Sequence, residues 1–309
     1  MNRRIAGILS LLVLVLFVLF IIYDVITGRL FTERPQRPLF VADEEVEASW
    51  EIAGEIQFTE RGLTSVATLP DGVVAGGESF IRLLDRSLNS RWSVTPPAAV
   101  KALTTFNDTI YAAGYDVIWL YDLSGNLLEE WGPWESGSII TSLSVNETYV
   151  AMADAGVRRV YLLDRSGALR HMSGHRGERY VVPSPYFDVV LFPDNHYLVV
   201  NPGRLRIEKR TPGGDIVSMF GEPGTGAQYF SGCCNPSHIA MLNDTTLATS
   251  EKGISRIKLY STGGELLEFV SAVSPTGSTE AQDIAAGGDG KLYVASPEDS
   301  RLYVYRRIE

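Results

Sequence analysis

Residues 220–261 read FGEPGTGAQYFSGCCNPSHIAMLNDTTLATSEKGISRIKLYS. Gly and Pro punctuate the first third. Two short apolar runs, HIAML and TLATS, then flank the turn signal LNDT, and a third, RIKLY, follows the polar corner SEKG. No part of the stretch carries a sustained 3.6-residue period. Short Val/Ile/Leu/Tyr runs bounded by turn residues predict strands of an all-β domain.

The same pattern recurs on both sides. Five hairpin-type segments share one ending, LLDRSLN, LYDLSGN, LLDRSGA, EKRTPGGD and LYSTGGE, with turn positions at Leu88, Gly125, Gly167, Gly214 and Gly264. Upstream of each lies a second turn: LPDG, FNDT, VNET, FPDN and LNDT. A sixth copy, AAGGDGKLYVASPEDSRLYVY, runs to the C-terminus and stops one strand short. Repeats of about 40 residues with four strands each predict a six-bladed β-propeller. VEASWEI (46–52) is expected to supply the missing strand, since Trp50 matches Trp92 and Trp131 of the first two outer strands. Such closure hides an edge that would otherwise stay open.

The opening stretch also resembles the NHL repeat, whose usual form is F-G-x-x-G-x-G-x-x-Q-F, a Pro, an I-A-V-type strand, a turn, then a polar corner and a strand. Phe220, Gly221, Gly224, Gly226, Gln228, Phe230, Pro236, Ile239 and Ala240 fit that form. The resemblance is strong in this repeat and weak in the other five. It implies an interaction platform. The chain departs from the pattern between Phe230 and Pro236, where a longer spacer contains the only two cysteines, Cys233 and Cys234.

Aligning the copies on their upstream turn gives a column at the start of each first strand: Ser65, Ala102, Thr141, Asp188, His238 and Asp283. In a propeller this column forms a ring at one mouth of the channel. Asp188, His238 and Asp283 are its ionisable members and fall on consecutive blades. The Cys pair enters the same strand as His238, so Asp188, Cys233, Cys234, His238 and Asp283 are expected to share one ligand-binding mouth.

Three chemistries are open to the cysteines. Neighbouring Cα atoms lie ~3.8 Å apart, below the usual disulfide range of ~4.4–6.8 Å, so a Cys233–Cys234 disulfide would be strained and reducible. It would close no loop and could not act as a staple. The thiols and His238 are also candidate ligands for Zn or Cu, although adjacent cysteines converge poorly on one ion. The third reading is a pair of inert thiols.

Ile5–Tyr23, IAGILSLLVLVLFVLFIIY, is free of charge, and nineteen residues span roughly 28 Å as a helix, about the thickness of a bilayer core. No A-x-A cleavage pattern follows, so the run is expected to be an uncleaved transmembrane anchor rather than a signal peptide. The expected organisation is a short cytoplasmic tail (1–4), the anchor (5–23), a stalk (24–45) rich in Pro and charge, and the propeller (46–309). Arg3 and Arg4 face no N-terminal acid, while Asp24 comes first on the far side, which favours the N-terminus inside. The propeller would then be extracytoplasmic, or periplasmic in a bacterium. Formal net charge is −10 despite this basic start, which argues against nucleic acid as partner.

HMSGH (171–175) offers copper-type donors in a Gly/Ser connector. The N-x-T sequons at Asn107, Asn146 and Asn243 all fall at the same turn of their repeats, where backbone chemistry explains Asn. GGDGK (287–291) lacks the spacing of a phosphate loop, and no G-x-S-x-G or H-E-x-x-H pattern is present. The leading expectation is therefore a membrane-anchored binding module for a protein or small ligand, with no cofactor required. Similar propellers include lyases and lactonases with a metal on the axis. That resemblance implies the alternative: a redox or metal-dependent enzyme using Asp188, His238, Asp283 and the Cys233–Cys234 pair, with the first three holding the ion.

Overall fold

The computed structural model describes residues 3–26, 48–60, 62–175, 179–224, 226–254, 256–271 and 279–309, with side chains in the N-terminal helix described for 12–23. The chain divides into two units, Met1–Leu39 and Phe40–Glu309. The first contains the helix Arg3–Ile26, whose described side chains, 12–23, are all exposed. Among the described residues no helix is long and apolar enough to cross a membrane. The expected anchor over 5–23 lies partly outside the described side chains, and the expected stalk lies outside the described residues from 27 onward.

The second unit is an all-β, six-bladed propeller: six antiparallel sheets of four strands each. Blades 1 to 5 run in chain order over 63–94, 102–131, 140–173, 189–220 and 238–271. Blade 6 joins the last three strands, over 283–307, to the N-terminal strand Trp50–Gln57, which pairs outermost against Arg301–Arg307. The closure expected from the sequence therefore exists: its described pairing runs from Trp50 to Gln57, beyond the end of the expected 46–52, whose first two residues lie outside the described residues. Trp50 is buried in a cluster with Ile257, Val270 and Tyr303, and this sets the register from the strand's first residue.

Local chemistry explains each outer hairpin. Asp85, Asp122 and Asp164 each accept main-chain N–H bonds from the residues two and four positions on. Thr211 and Ser261 accept the corresponding bond from Asp215 and Glu265 in blades 4 and 5. The next turn residue must be left-handed: φ is +64° at Leu88, +84° at Gly125, +81° at Gly167, +94° at Gly214 and +94° at Gly264. A three-residue loop with a bulge follows from this geometry, and Gly adopts it at little cost.

The second strand of each blade is buried on both faces between neighbouring blades, as in Gly72–Gly77, Tyr197–Asn201 and Leu292–Ser296. Such strands read as continuous apolar runs rather than alternating ones. Successive blades dock through their rims. A Cβ at Gly125 would lie 3.2 Å from Trp92, at Gly167 2.7 Å from Trp131, and at Gly264 2.3 Å from Phe220. These three turn glycines thus leave room for the outer-strand aromatic residue of the preceding blade, while Gly214 faces Ser173.

Turn chemistry also accounts for the sequons. Asn146 is buried, donates to Phe192 O at 2.7 Å and accepts from Thr148 N and Tyr149 N. Asn243 accepts from Thr245 N at 2.9 Å.

Candidate binding site at the channel mouth

The first strands surround a channel, and their N-terminal ends form its mouth. The mouth holds a cavity of about 240 Å³ with a residue from every blade or its leading loop: Thr64, Tyr115, Thr141, Tyr186, His238 and Pro297. Lys101 and Glu280 also reach it. A second cavity of about 240 Å³ lies along the channel, lined by residues of all six first strands, Asp188 and Asp283 among them. His238 lines the mouth while its two acidic neighbours line the channel.

The three ionisable ring residues do meet. His238 Nδ1 lies 3.5 Å from Asp188 Oδ2 and 3.4 Å from Asp283 Oδ1. Each carboxylate also latches blades by accepting main-chain hydrogen bonds. Asp188 Oδ2 accepts from Ile239 N of blade 5 at 2.8 Å, and its Oδ1 accepts from Val189 N and from the Ser142 hydroxyl of blade 3. Asp283 Oδ2 accepts from Val66 N of blade 1 at 2.9 Å, and its Oδ1 from Ile284 N at 3.0 Å. Burial, opposed by His238 and reinforced by Asp188, pushes the Asp283 carboxyl up to about 6. Burial lowers the His238 imidazole, but Asp188 and Asp283 outweigh it, so its pKa lies above the ordinary value.

The ring differs from the sequence alignment at one blade. In blade 3 the residue equivalent to His238 is Ser142, which pairs with Ala153 as His238 pairs with Ser250. Thr141 sits in a bulge between Ile140 and Ser142. Its hydroxyl donates to Phe187 O of the next blade's leading loop at 2.6 Å, as the bulged Thr64 donates to Val100 O at 2.7 Å. A bulge adds one residue to a strand, so counting back from the far turn misses it.

Asp188, His238 and Asp283 form a group of three metal-type donors whose ligand atoms lie within 4.8 Å of one another. The donor types suit a divalent ion. Their lone pairs, however, are directed at four main-chain N–H groups and a hydroxyl, and one imidazole nitrogen faces both acids. This arrangement fits a proton-sharing latch between blades better than an ion cradle. In HMSGH, His171 Nε2 meets the Tyr149 hydroxyl at 3.3 Å, Met172 packs against a core cluster and His175 is exposed, so the stretch gathers no ligand set among the described residues.

The cysteines line neither cavity. Their sulfurs are unbonded and 3.1 Å apart, with Cys233 exposed and Cys234 buried. They lie behind Tyr186. Lys252 Nζ is 3.8 Å from Cys234 Sγ and 5.1 Å from the centre of the Tyr186 ring, and that ring meets the His238 imidazole edge-on at 5.9 Å. Burial raises the Cys234 thiol, but hydrogen bonding with Ser184 and Cys233 and the Lys252 ammonium leave it below the ordinary value. Hydrogen bonding with Cys234, followed by burial, raises Cys233.

Sequence reasoning missed Tyr115, Tyr186, Lys101, Glu280 and Lys252. Tyr186 carried the one available signal, standing two residues ahead of ring position Asp188 and so on the same side of an extended chain. The others come from turns and leading loops that converge only in the closed ring.

The fold places the chain among six-bladed propellers. Two solved structures resemble it over their whole length. One is described as a streptogramin B lyase, with a TM-score of 0.62 and 15% identity over 85% of this chain and 100% of that one. The other is a virginiamycin B lyase from Staphylococcus aureus, with a TM-score of 0.61 and 15% identity over 84% of this chain and 100% of that one. At that identity the likeness is one of fold. No family model and no curated protein matches the chain.

Proposed function

We propose that the chain is a membrane-anchored, extracytoplasmic propeller of NHL type whose channel mouth binds a small ligand or a protruding side chain of a protein partner. The supporting observation is the mouth itself: one cavity of about 240 Å³ assembled from all six blades, with Tyr115, Tyr186 and His238 in its lining. Small-molecule sites combine an apolar, aromatic lining with a few placed polar groups, and this cavity has both. Its volume is below the ~300–1,000 Å³ of drug-sized pockets, which points to a compact ligand. The anchor rests on the charge-free run Ile5–Tyr23, and the NHL assignment on the 220–261 repeat.

The test is ligand-observed NMR with a panel of small aromatic, carboxylic and amine fragments. Bound fragments should be lost on Tyr186→Ala and on His238→Ala, with both variants folded by circular dichroism. Fragments that bind the variants as well as the parent would place the site elsewhere.

The competing reading is a redox or metal-dependent enzyme of lyase or lactonase type. The Asp188–His238–Asp283 group supplies the donor types it needs, although these are engaged in the latch between blades, and the fold shared with two lyases is compatible with it. Fold alone does not carry activity. Zn or Cu retained in stoichiometric amount, and lost on His238→Ala, would put that reading first.

A further inference from the structure

We propose that Cys233 and Cys234 form a thiol–disulfide exchange site for low-molecular-weight disulfides, and that its oxidation alters the channel mouth through Lys252 and Tyr186. The second half rests on the mouth being a binding site.

The loop carrying the pair is held rigidly. Buried Asn235 donates to Ser231 O at 2.7 Å and to Lys252 O at 2.9 Å, and accepts from Lys252 N at 2.8 Å. These bonds tie residues 231–235 to the corner between the second and third strands of blade 5. They fix one sulfur at the surface and the other beside an ammonium group, 3.1 Å apart. Exchange needs an accessible sulfur to meet the reagent and a thiolate placed to resolve the mixed disulfide. Exposed Cys233 fits the first role. Cys234, which the Lys252 ammonium favours as thiolate, fits the second.

The chemistry balances as follows. Cys233 releases its proton, and its thiolate attacks one sulfur of R–S–S–R. The reagent's S–S bond breaks, R–S⁻ leaves, and a Cys233–S–S–R mixed disulfide forms. The Cys234 thiolate then attacks Cys233 Sγ, the bond to the second R–S⁻ breaks, and the Cys233–Cys234 bond closes. Two protein thiols lose two electrons, the reagent gains them as two R–SH, and the protons from the cysteines end on the leaving thiolates. Strain from bridging adjacent residues makes the product readily reduced, as a reversible device requires.

The consequence at the mouth is electrostatic. In the reduced protein the Lys252 ammonium lies between the Cys234 sulfur and the face of Tyr186. Oxidation removes a sulfur able to carry negative charge beside the ammonium and leaves the ammonium to the ring. Tyr186 stands edge-on to His238, and both line the cavity.

The test equilibrates the full chain in buffers of increasing oxidised-to-reduced glutathione ratio, quenches with an alkylating agent and reads intact mass. Alkyl groups should fall from two to none. Cys234→Ser should accumulate a glutathione adduct on Cys233, whereas Cys233→Ser should not accumulate one on Cys234. Two alkyl groups throughout the series, or equal adducts on both variants, would overturn the exchange site. Both variants should melt like the parent, because no loop is closed.

Transmission is read separately, as the rate at which diethyl pyrocarbonate modifies His238, mapped by peptide mass. Oxidation should change this rate about two- to fivefold, the effect of one nearby charge at a high effective dielectric, and Lys252→Gln should remove the difference. Equal rates in both redox states would overturn the link. A disulfide and a rate change without any bound fragment would leave the exchange site standing and remove the binding reading. Fragments bound equally in both redox states would leave the binding reading standing and remove the link.

Discussion

Leu88 lies against Gly54 where the ring closes: a Cβ built on Gly54 would sit 3.7 Å from Leu88 Cδ1. At three of the other rim joints the sizes are exchanged, with glycine in the left-handed turn and Trp92, Trp131 or Phe220 on the facing outer strand. The closing strand therefore offers a small residue where the first blade's turn carries a large one. The joint is filled either way, and Leu88 bears the cost of φ +64° that glycine avoids elsewhere.

Two glycines separate the packing part of this joint from the backbone part. Gly167 has φ +81° and no room beside Trp131, whereas Gly137 has φ +89° and nothing within 4 Å of a built Cβ. Gly137→Ala should cost only the left-handed backbone, about 1–2 kcal/mol. Gly167→Ala should cost about 1–3 kcal/mol more through overpacking. Urea unfolding of both variants checks this, and equal losses would refute the packing role of Trp131.

Closure by the N-terminal strand predicts a second outcome. Deleting residues 50–57 exposes the edge of Arg301–Arg307, whose ladder partners those residues are. An exposed edge strand recruits other chains. The shortened protein should aggregate on light scattering and melt at lower temperature. A deletion variant as soluble and heat-stable as the parent would remove the closure argument.

The raised Asp283 carboxyl makes stability depend on pH. Its folded pKa, about 6, exceeds the ordinary 3.8, so the native state holds the proton more tightly than the unfolded chain between those values. The resulting stabilisation is full below pH 3.8 and is lost as pH rises through about 6. His238, raised above 6.5, contributes in the same direction at higher pH. Asp283→Asn keeps an acceptor for Val66 N–H but cannot titrate. Its stability relative to the parent should therefore rise by about 1–3 kcal/mol from pH 4 to 7. Unfolding free energies that run parallel across that range would contradict the buried-carboxyl account.

The proposed anchor is tested on the isolated protein. The charge-free run Ile5–Tyr23 and the absence of a cleavage pattern predict that the mature chain keeps its N-terminus and sediments with membranes after alkaline carbonate washing. N-terminal sequencing that begins beyond residue 24 would establish a cleaved signal peptide instead.

By itself the sequence determined what local chemistry controls. A carboxylate or hydroxyl at Asp85, Asp122, Asp164, Thr211 or Ser261, followed by a left-handed residue, specifies each outer hairpin wherever it folds. Five such hairpins and a sixth partial copy, one strand short, pointed to six blades closed by the N-terminal strand. The ring residues Asp188, His238 and Asp283 were legible because they share one position of the repeat. What only the tertiary structure decided depends on contacts between distant segments. The bulge at Thr141 moves the ring position to Ser142. Tyr186 and Lys252 come between the cysteines and the mouth that the sequence had them share. Glu208, fully buried between Arg206 and Arg210, and Lys258, buried against Glu251, reverse what their polarity predicts. Their partners are fixed by strand pairing and side-chain packing, and no local pattern encodes a desolvated ion pair.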